Sequence, residues 1–507
     1  MAISRTDERI TLSRQLNTFD VTNLVVGSII GADIYVAAAL GARLVGPFSL
    51  VIWFIAGVMA IIIALSFSYC ATMLPRTGGP YAYARETAGP FYGFLVGWAL
   101  LLAEWFSLVV FPVAFVTYFL SLFPGLSPNM QILLKGIFIV TIFVTNTLGI
   151  RLAGRFNDIL TIAKLSPLVL FAIVGIIYVF LKPGAVTANL SPFLSGSIRN
   201  FGQALVLIFW AYAGFELSTI PADEIREPEK TLPRAIVLGM FIVMVFYMVT
   251  NFIIVGVVDQ KTLAASSAPL VTAARSVLSV YPVLATAGGL VIAFGAIISI
   301  MGADESGTIG TSRLVFALSV DGLLPHAFSR LHKSYRTPYI GLSAICITAL
   351  IASMSGSLIS LINAAVFLLS FAYLTTCIST ILLANKYRDK AVHLKGKHII
   401  PFIGIIFSAF LMTQVSIRQI AISLLLMAIG IPIYVFFSPQ KELHDLKAAF
   451  LSNEAILSRA YNEGGRFLAF PVRVFKRAVY KILKIEKAWF SQSSSDRTKE
   501  VKQMRKI

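Results

Sequence analysis

Apolar runs long enough to cross a bilayer recur along this chain, and that recurrence limits what it can fold into more than any other feature. A membrane-spanning helix needs about 20 predominantly apolar residues. Such segments run roughly Phe19–Val45, Phe48–Met73, Phe91–Phe123, Ile132–Gly149, Phe156–Leu181, Phe201–Ile220, Ala235–Val258, Val283–Val320, Tyr339–Met354, Leu358–Ala384, Ile399–Val415 and Ile420–Phe437. With 57% hydrophobic residues, 13% charged residues and a mean hydropathy of +0.83, a water-soluble fold of 507 residues has more apolar surface than it can bury. The reading is therefore an all-α integral membrane protein with twelve transmembrane helices, one for each segment. Met1–Asn17 carries Arg5, Asp7, Glu8, Arg9 and Arg14 and no apolar h-region. It is not read as a secretory signal peptide, and the first segment is expected to stay in the mature protein.

Basic residues set the expected orientation. The loops after segments two, four, six, eight and ten carry Arg76 and Arg85; Arg151 and Arg155; Arg226, Lys230 and Arg234; Arg330, Lys333 and Arg336; and five from Lys386 to Lys397. Those loops are expected on the cytoplasmic side, and an even number of segments then puts both termini there. Three parts follow: a cytoplasmic segment 1–18, a transporter domain 19–438 and a basic tail 439–507. The tail accounts for much of the +18 net charge. Its stretch Arg466–Phe490 mixes basic and bulky apolar residues at near-helical spacing, as a helix on anionic inner-leaflet lipids would, and Pro471 breaks it. A lipid surface fits this better than nucleic acid.

Nothing points to a metal or cofactor. Cys70, Cys346 and Cys377 lie in apolar runs at spacings that match neither a metal site nor a disulfide framework. The histidines, His326, His332, His393, His398 and His444, all fall in polar loops or the tail. A membrane enzyme would need convergent nucleophile, base and ligands, and these apolar helices offer carboxylates without histidine. No Gly-x-x-x-x-Gly-Lys-Ser/Thr phosphate loop occurs, so transport driven by ATP is not expected. A solute sensor would use the tail for signalling, but the tail is short and basic.

Two interruptions carry the chemistry. Gly27-Ser-Ile-Ile-Gly-Ala-Asp-Ile-Tyr35 places two glycines and an aspartate in the middle of segment one, where a helix should weaken. Phe209-Trp-Ala-Tyr-Ala-Gly-Phe-Glu216 does the same in segment six. Close helix packing by small residues would explain the glycines alone. Paired interruptions at corresponding positions of two repeats instead mark a transporter's midplane site, where freed backbone lines a cavity.

The first stretch resembles the motif Gly-x-x-x-Gly-x-Gly-Ile-Phe of the amino acid/polyamine/organocation permeases. Pro75-Arg-Thr-Gly-Gly-Pro-Tyr-Ala-Tyr83 is similar to that superfamily's loop after helix two, Gly214-Phe-Glu216 with Asp223–Pro233 to its helix-six exit, and Ser312–Pro325 to its helix-eight exit. The resemblance implies a LeuT-like fold: helices one to five and six to ten form an inverted repeat, with discontinuous helices one and six holding the substrate. It implies import of amino acids or related organic amines. Ile30, Gly31, Ala32 and Asp33 would belong to the substrate site, the backbone around Ala32 and Asp33 receiving a carboxylate and the carbonyls of Ile30, Trp210 and Ala213 an ammonium group. Beside Gly214, Trp210 would be a lid over the substrate and Glu216 an inner-gate residue. Lys164, inside segment five, matches the lysine that replaces a bound sodium ion in proton-coupled members. Burial disfavours its charged form, so protons are the expected coupling ion; a static pairing with a carboxylate is the alternative.

The sequence also departs from the superfamily. Asp33 stands where glycine is usual and would repel a substrate carboxylate. Glu104 in segment three, and Asp304 and Glu305 in segment eight, are further acids inside apolar helices, where acids usually face cavities and are functional. An amine or polyamine carrier is one reading of this set. Neutralisation of Asp33 by Lys164, or its protonation, would return the site to ordinary amino acids. A cation channel or carrier with Asp33, Glu104 and Glu305 as the ion path is a third.

Overall fold

The computed structural model describes residues 16–76, 78–148, 150–194, 197–220, 225–335, 337–354 and 358–438. The basic tail with its proposed surface helix, Asp223 and Glu224 of the helix-six exit, and Arg336 lie outside the described residues. The described chain is helical, and its only β pairing is an isolated bridge between Leu16 and Ile225.

Nine runs among the described residues are long and apolar enough to cross a membrane: Asp33–Met73, Pro90–Leu122, Pro128–Thr147, Ala163–Leu181, Ile198–Thr219, Pro228–Val257, Pro282–Val320, Leu358–Lys386 and Ile417–Phe437. Tyr339–Ala352 and Ile399–Gln414 are apolar but shorter. Large apolar side chains such as Ile137, Phe180, Val283, Phe402 and Leu425 stand exposed on these helices, as a hydrocarbon solvent permits and water does not.

Helix α1 (Thr18–Ile29) starts on a capping box, in which Asn17 accepts from the Asp20 amide and the Asp20 carboxylate accepts from the Asn17 amide. It stops at Ile29, and α2 (Ala32–Val45) resumes after Gly31. Next come α3 (Ser49–Met73), the short α4 (Pro80–Ala88), α5 (Pro90–Leu122), α6 (Pro128–Thr147), α7 (Ile150–Leu181) and α8 (Pro183–Asn189). The second interruption follows α9 (Phe201–Phe209): a 3₁₀ turn over Trp210–Tyr212, Gly214 at φ 120°, and a second 3₁₀ turn over Phe215–Thr219. Beyond it lie α10 (Pro228–Val257), α11 (Gln260–Ala265), α12 (Pro269–Val277) and the long α13 (Pro282–Val320). The chain finishes with α14 (Tyr339–Ala352), α15 (Leu358–Lys386), α16 (Arg388–Ala391), α17 (Ile399–Gln414) and α18 (Ile417–Phe437). Helix α13 packs on α1, α5 and α7, α15 on α5, and α10 on α1 and α3, so both interruptions lie inside the bundle.

Helix α4 was unmarked in the hydropathy pattern because it is polar. It ties three elements together. Arg85 meets Asp321, just past α13, at 2.5 Å, with the Tyr81 hydroxyl on the same carboxylate. Glu86 accepts from Lys386 of α15 and from Tyr387, each at 2.7 Å. Those two donors hold the Glu86 carboxyl below the usual carboxylate range. A carboxyl held low in the folded state stabilises the fold at neutral pH, and the contribution fades as pH falls through its folded value. Since Lys386 is half exposed, Glu86→Gln is expected to cost less than about 1 kcal/mol at neutral pH and progressively less as the pH is lowered into the acid range. Thermal unfolding across that range checks this.

Candidate functional site

The two interruptions face one small cavity of about 30 Å³ lined by Ser28, Asp33, Glu104, Ser107, Phe111, Trp210, Ala213, Gly214, Glu216, Leu217, Ala303, Gly307 and Leu369. Three of its lining side chains are carboxylates, Asp33, Glu104 and Glu216, and none is Lys, Arg or His. All three are buried.

Two glycines make the geometry possible. At Gly31 a Cβ would stand 2.3 Å from the Cβ of Ala303, so the break in the first helix sits directly on α13. Gly214 needs its positive φ, and a Cβ there would meet the Ser28 carbonyl oxygen at 2.9 Å. The two breaks touch at this point, where the Ser28 hydroxyl donates to the Gly214 carbonyl at 3.1 Å. Gly31→Ala is expected to destabilise the protein by about 1–3 kcal/mol through overpacking, and Ala303→Gly in the same chain to restore part of it. A thermal-unfolding double-mutant cycle reads both.

The freed backbone already has protein partners. Lys164 Nζ donates to the Gly27 carbonyl at 2.5 Å, the Tyr247 hydroxyl to the Ile29 carbonyl at 3.1 Å, and Ser299 Oγ to the Ile30 carbonyl at 3.5 Å. The Trp210 carbonyl accepts from the Ala213 amide at 3.0 Å. At the start of α2, Asp33 stands in the first turn with its carboxylate against its own amide, at the positive end of that half-helix. Glu216 bends back onto its own turn: Oε2 accepts from the Gly214 amide at 3.0 Å and from the Tyr373 hydroxyl at 2.9 Å.

Residues 16–438 match the amino acid permease family, nearly the whole helical part of the chain. The chain belongs to that family. It is similar to the branched-chain amino acid permease BcaP of Bacillus subtilis (strain 168), 28% identical over 459 residues that cover 86% of this chain and 95% of that protein. A methylthioribose transporter of the same organism is 28% identical over 422 residues, 78% of this chain and 86% of its own. The serine/threonine exchanger SteT, also from that organism, is 26% identical over 446 residues, with 85% and 98% covered. These relatives are transporters and not enzymes, and the chain is a multi-pass membrane permease.

Of the permease residues singled out in the sequence, Asp33, Glu104, Trp210, Ala213, Gly214 and Glu216 line the cavity. Ile30, Gly31 and Ala32 form the junction beside it. Lys164 is fully buried in the next layer out, bonded to Gly27 and coupled by charge to Asp33. Asp304 and Glu305 do not line this cavity. Asp304 faces a separate space with Leu108, Ile139, Ile142, Thr308, Cys346 and Ala349, and Glu305 accepts from Thr145 of α6 at 2.6 Å. The sequence reading missed Ser107 and Phe111 in the cavity wall, the part-buried hydroxyl of Ser28 and the buried hydroxyls of Tyr247, Ser299 and Tyr373. Only Ser28 lies in a stretch that drew attention by its glycines.

Proposed function

We propose that this permease is a secondary carrier of amino acids and related organic amines, and that its central cavity selects cargo by an ammonium group held on carboxylates. One observation carries the reading: Asp33, Glu104 and Glu216 line a single buried cavity with no cationic side chain in its wall. A zwitterion would bring a carboxylate to the amides opening α2, where Asp33 already stands. Its ammonium group would need carbonyls that Lys164, Tyr247, Ser299 and Ala213 already engage. An amine cation needs neither place and meets three acceptors of opposite charge.

The working cycle we propose is alternating access within a twelve-helix domain, residues 19–438, whose two five-helix halves are inverted repeats. Counting α1–α2 and α3 separately within the nine long runs, and adding the two shorter apolar helices, is consistent with that number. Lys164, reaching from α7 to the first break, is the proposed proton-coupling residue, and Trp210 and Glu216 are the proposed gates. The relatives' names favour neutral amino acids, which makes the discriminating experiment direct. Proteoliposomes preloaded with agmatine, arginine or leucine are assayed for counterflow of labelled agmatine. Agmatine is expected to exchange, and arginine and leucine, which each carry a carboxylate, to do so poorly; exchange led by leucine sinks the ammonium reading.

A further inference from the structure

Glu216 presents one fixed and one unsatisfied oxygen. Its Oε2 is held by the Gly214 amide and the Tyr373 hydroxyl, whereas Oε1 is buried with no donor beside it. The side chain within hydrogen-bonding reach of Glu216 across the cavity is another carboxyl, that of Glu104 from α5. The residues are 1% and 7% exposed, so water screens the contact little. The other titratable groups facing the pair are Asp33 on α2, Asp304 on α13 and Tyr373 on α15, all of them acids. Lys164 acts on Asp33 and Gly27 instead.

Two carboxylates in such contact repel each other. A proton between them turns the repulsion into an O–H···O hydrogen bond and places a donor between two groups that otherwise only accept. An ammonium group brings the same two things, a positive charge and N–H donors. Proton and ammonium group are thus alternative occupants of one position.

We propose that Glu104 and Glu216 form a proton-exchange pair, holding one shared proton while the cavity is empty and releasing it when the cargo's ammonium group arrives. The inference rests on the cavity being an ammonium site. The carboxyl O–H bond breaks, the proton passes to water in whichever half of the pathway is open, and the substrate's N–H groups take its place. The charge of the proton is replaced by that of the cargo's ammonium group, and any further charge on the cargo is carried across in addition. When the substrate leaves on the other side, the pair takes a proton from there, so one amine cation crosses in exchange for one proton. Tyr373 is the positioning residue, fixing Oε2 and with it the orientation of the Glu216 carboxyl.

The test is a calorimetric titration of the full chain with agmatine in buffers of different ionisation enthalpy. About one proton is expected to leave per agmatine bound, with Kd rising about tenfold for each unit of acidification. Glu104→Gln is expected to bind agmatine more weakly, to release no proton and to show a pH-independent Kd. In vesicles made acidic inside, agmatine should accumulate above the level of protein-free vesicles. Binding without proton release by the unmodified protein overturns the proposal, as does release that survives in Glu104→Gln, or accumulation only in vesicles made alkaline inside. Failure of agmatine to bind at all overturns the ammonium site itself, and the pair's role with it.

Discussion

Asp33→Gly should invert the cargo preference of this permease. In a site partly shielded from water, two unit charges about 4 Å apart interact by about 4 kcal/mol at an effective dielectric near 20, close to a thousandfold in affinity. Removing Asp33 deletes one such attraction for an ammonium group. It also clears the amides that open α2, leaving them free to receive a substrate carboxylate at the positive end of the half-helix. Agmatine binding is therefore expected to weaken by at most about a thousandfold, less the share of the Asp33 charge that Lys164 compensates, while arginine and neutral amino acids gain. Competition of each against labelled agmatine, in the parent and the variant, measures the change. Tight binding of a neutral amino acid that Asp33→Gly leaves unaltered would defeat the carboxylate-selection reading.

Much of this was legible in the sequence, for a physical reason. Hydropathy reports the solvent a helix faces, so the apolar segments could be read without any knowledge of packing. Glycines and an aspartate inside such a segment weaken a helix locally, and the interruptions at Ile30–Gly31 and at Trp210–Gly214 fall within the two stretches so marked. What could not be read is which way an intramembrane acid points. Neighbouring positions on a helix differ by about 100°, and α13 is packed on several sides. Asp304 and Glu305 therefore reach two different neighbours, and neither joins Asp33 in the central cavity. The donors that occupy the freed carbonyls were equally hidden. Tyr247 and Ser299 lie in ordinary apolar runs of α10 and α13, and only the packing of those helices on α1 brings their hydroxyls to Ile29 and Ile30.

Lys164→Ala should abolish accumulation driven by a pH gradient. The lysine is fully buried in the middle of α7, and its ammonium group is spent on two tasks: a hydrogen bond to the Gly27 carbonyl and charge compensation of Asp33. Gly27 lies two residues before α1 stops, so the bond joins α7 to the end of the broken helix. Losing the donor strands a buried carbonyl at a cost of about 1–3 kcal/mol, which a protein of this size can absorb while the junction loosens. Charge is the larger matter. With Lys164 in place, an ammonium group arriving at Asp33 competes with a cation that keeps its own proton, so the lysine's charge weakens cargo binding while the exchanged proton is the one held by Glu104 and Glu216. Without it Asp33 keeps its full attraction for a cation, and cargo should bind tightly but leave slowly. Accumulation of agmatine in response to an imposed pH gradient is expected to fall to the level of protein-free vesicles. Lys164→Met, which preserves most of the side-chain volume, should behave in the same way if charge is the cause. Full accumulation in both variants would remove Lys164 from the coupling mechanism and leave it a purely structural tie between α7 and α1.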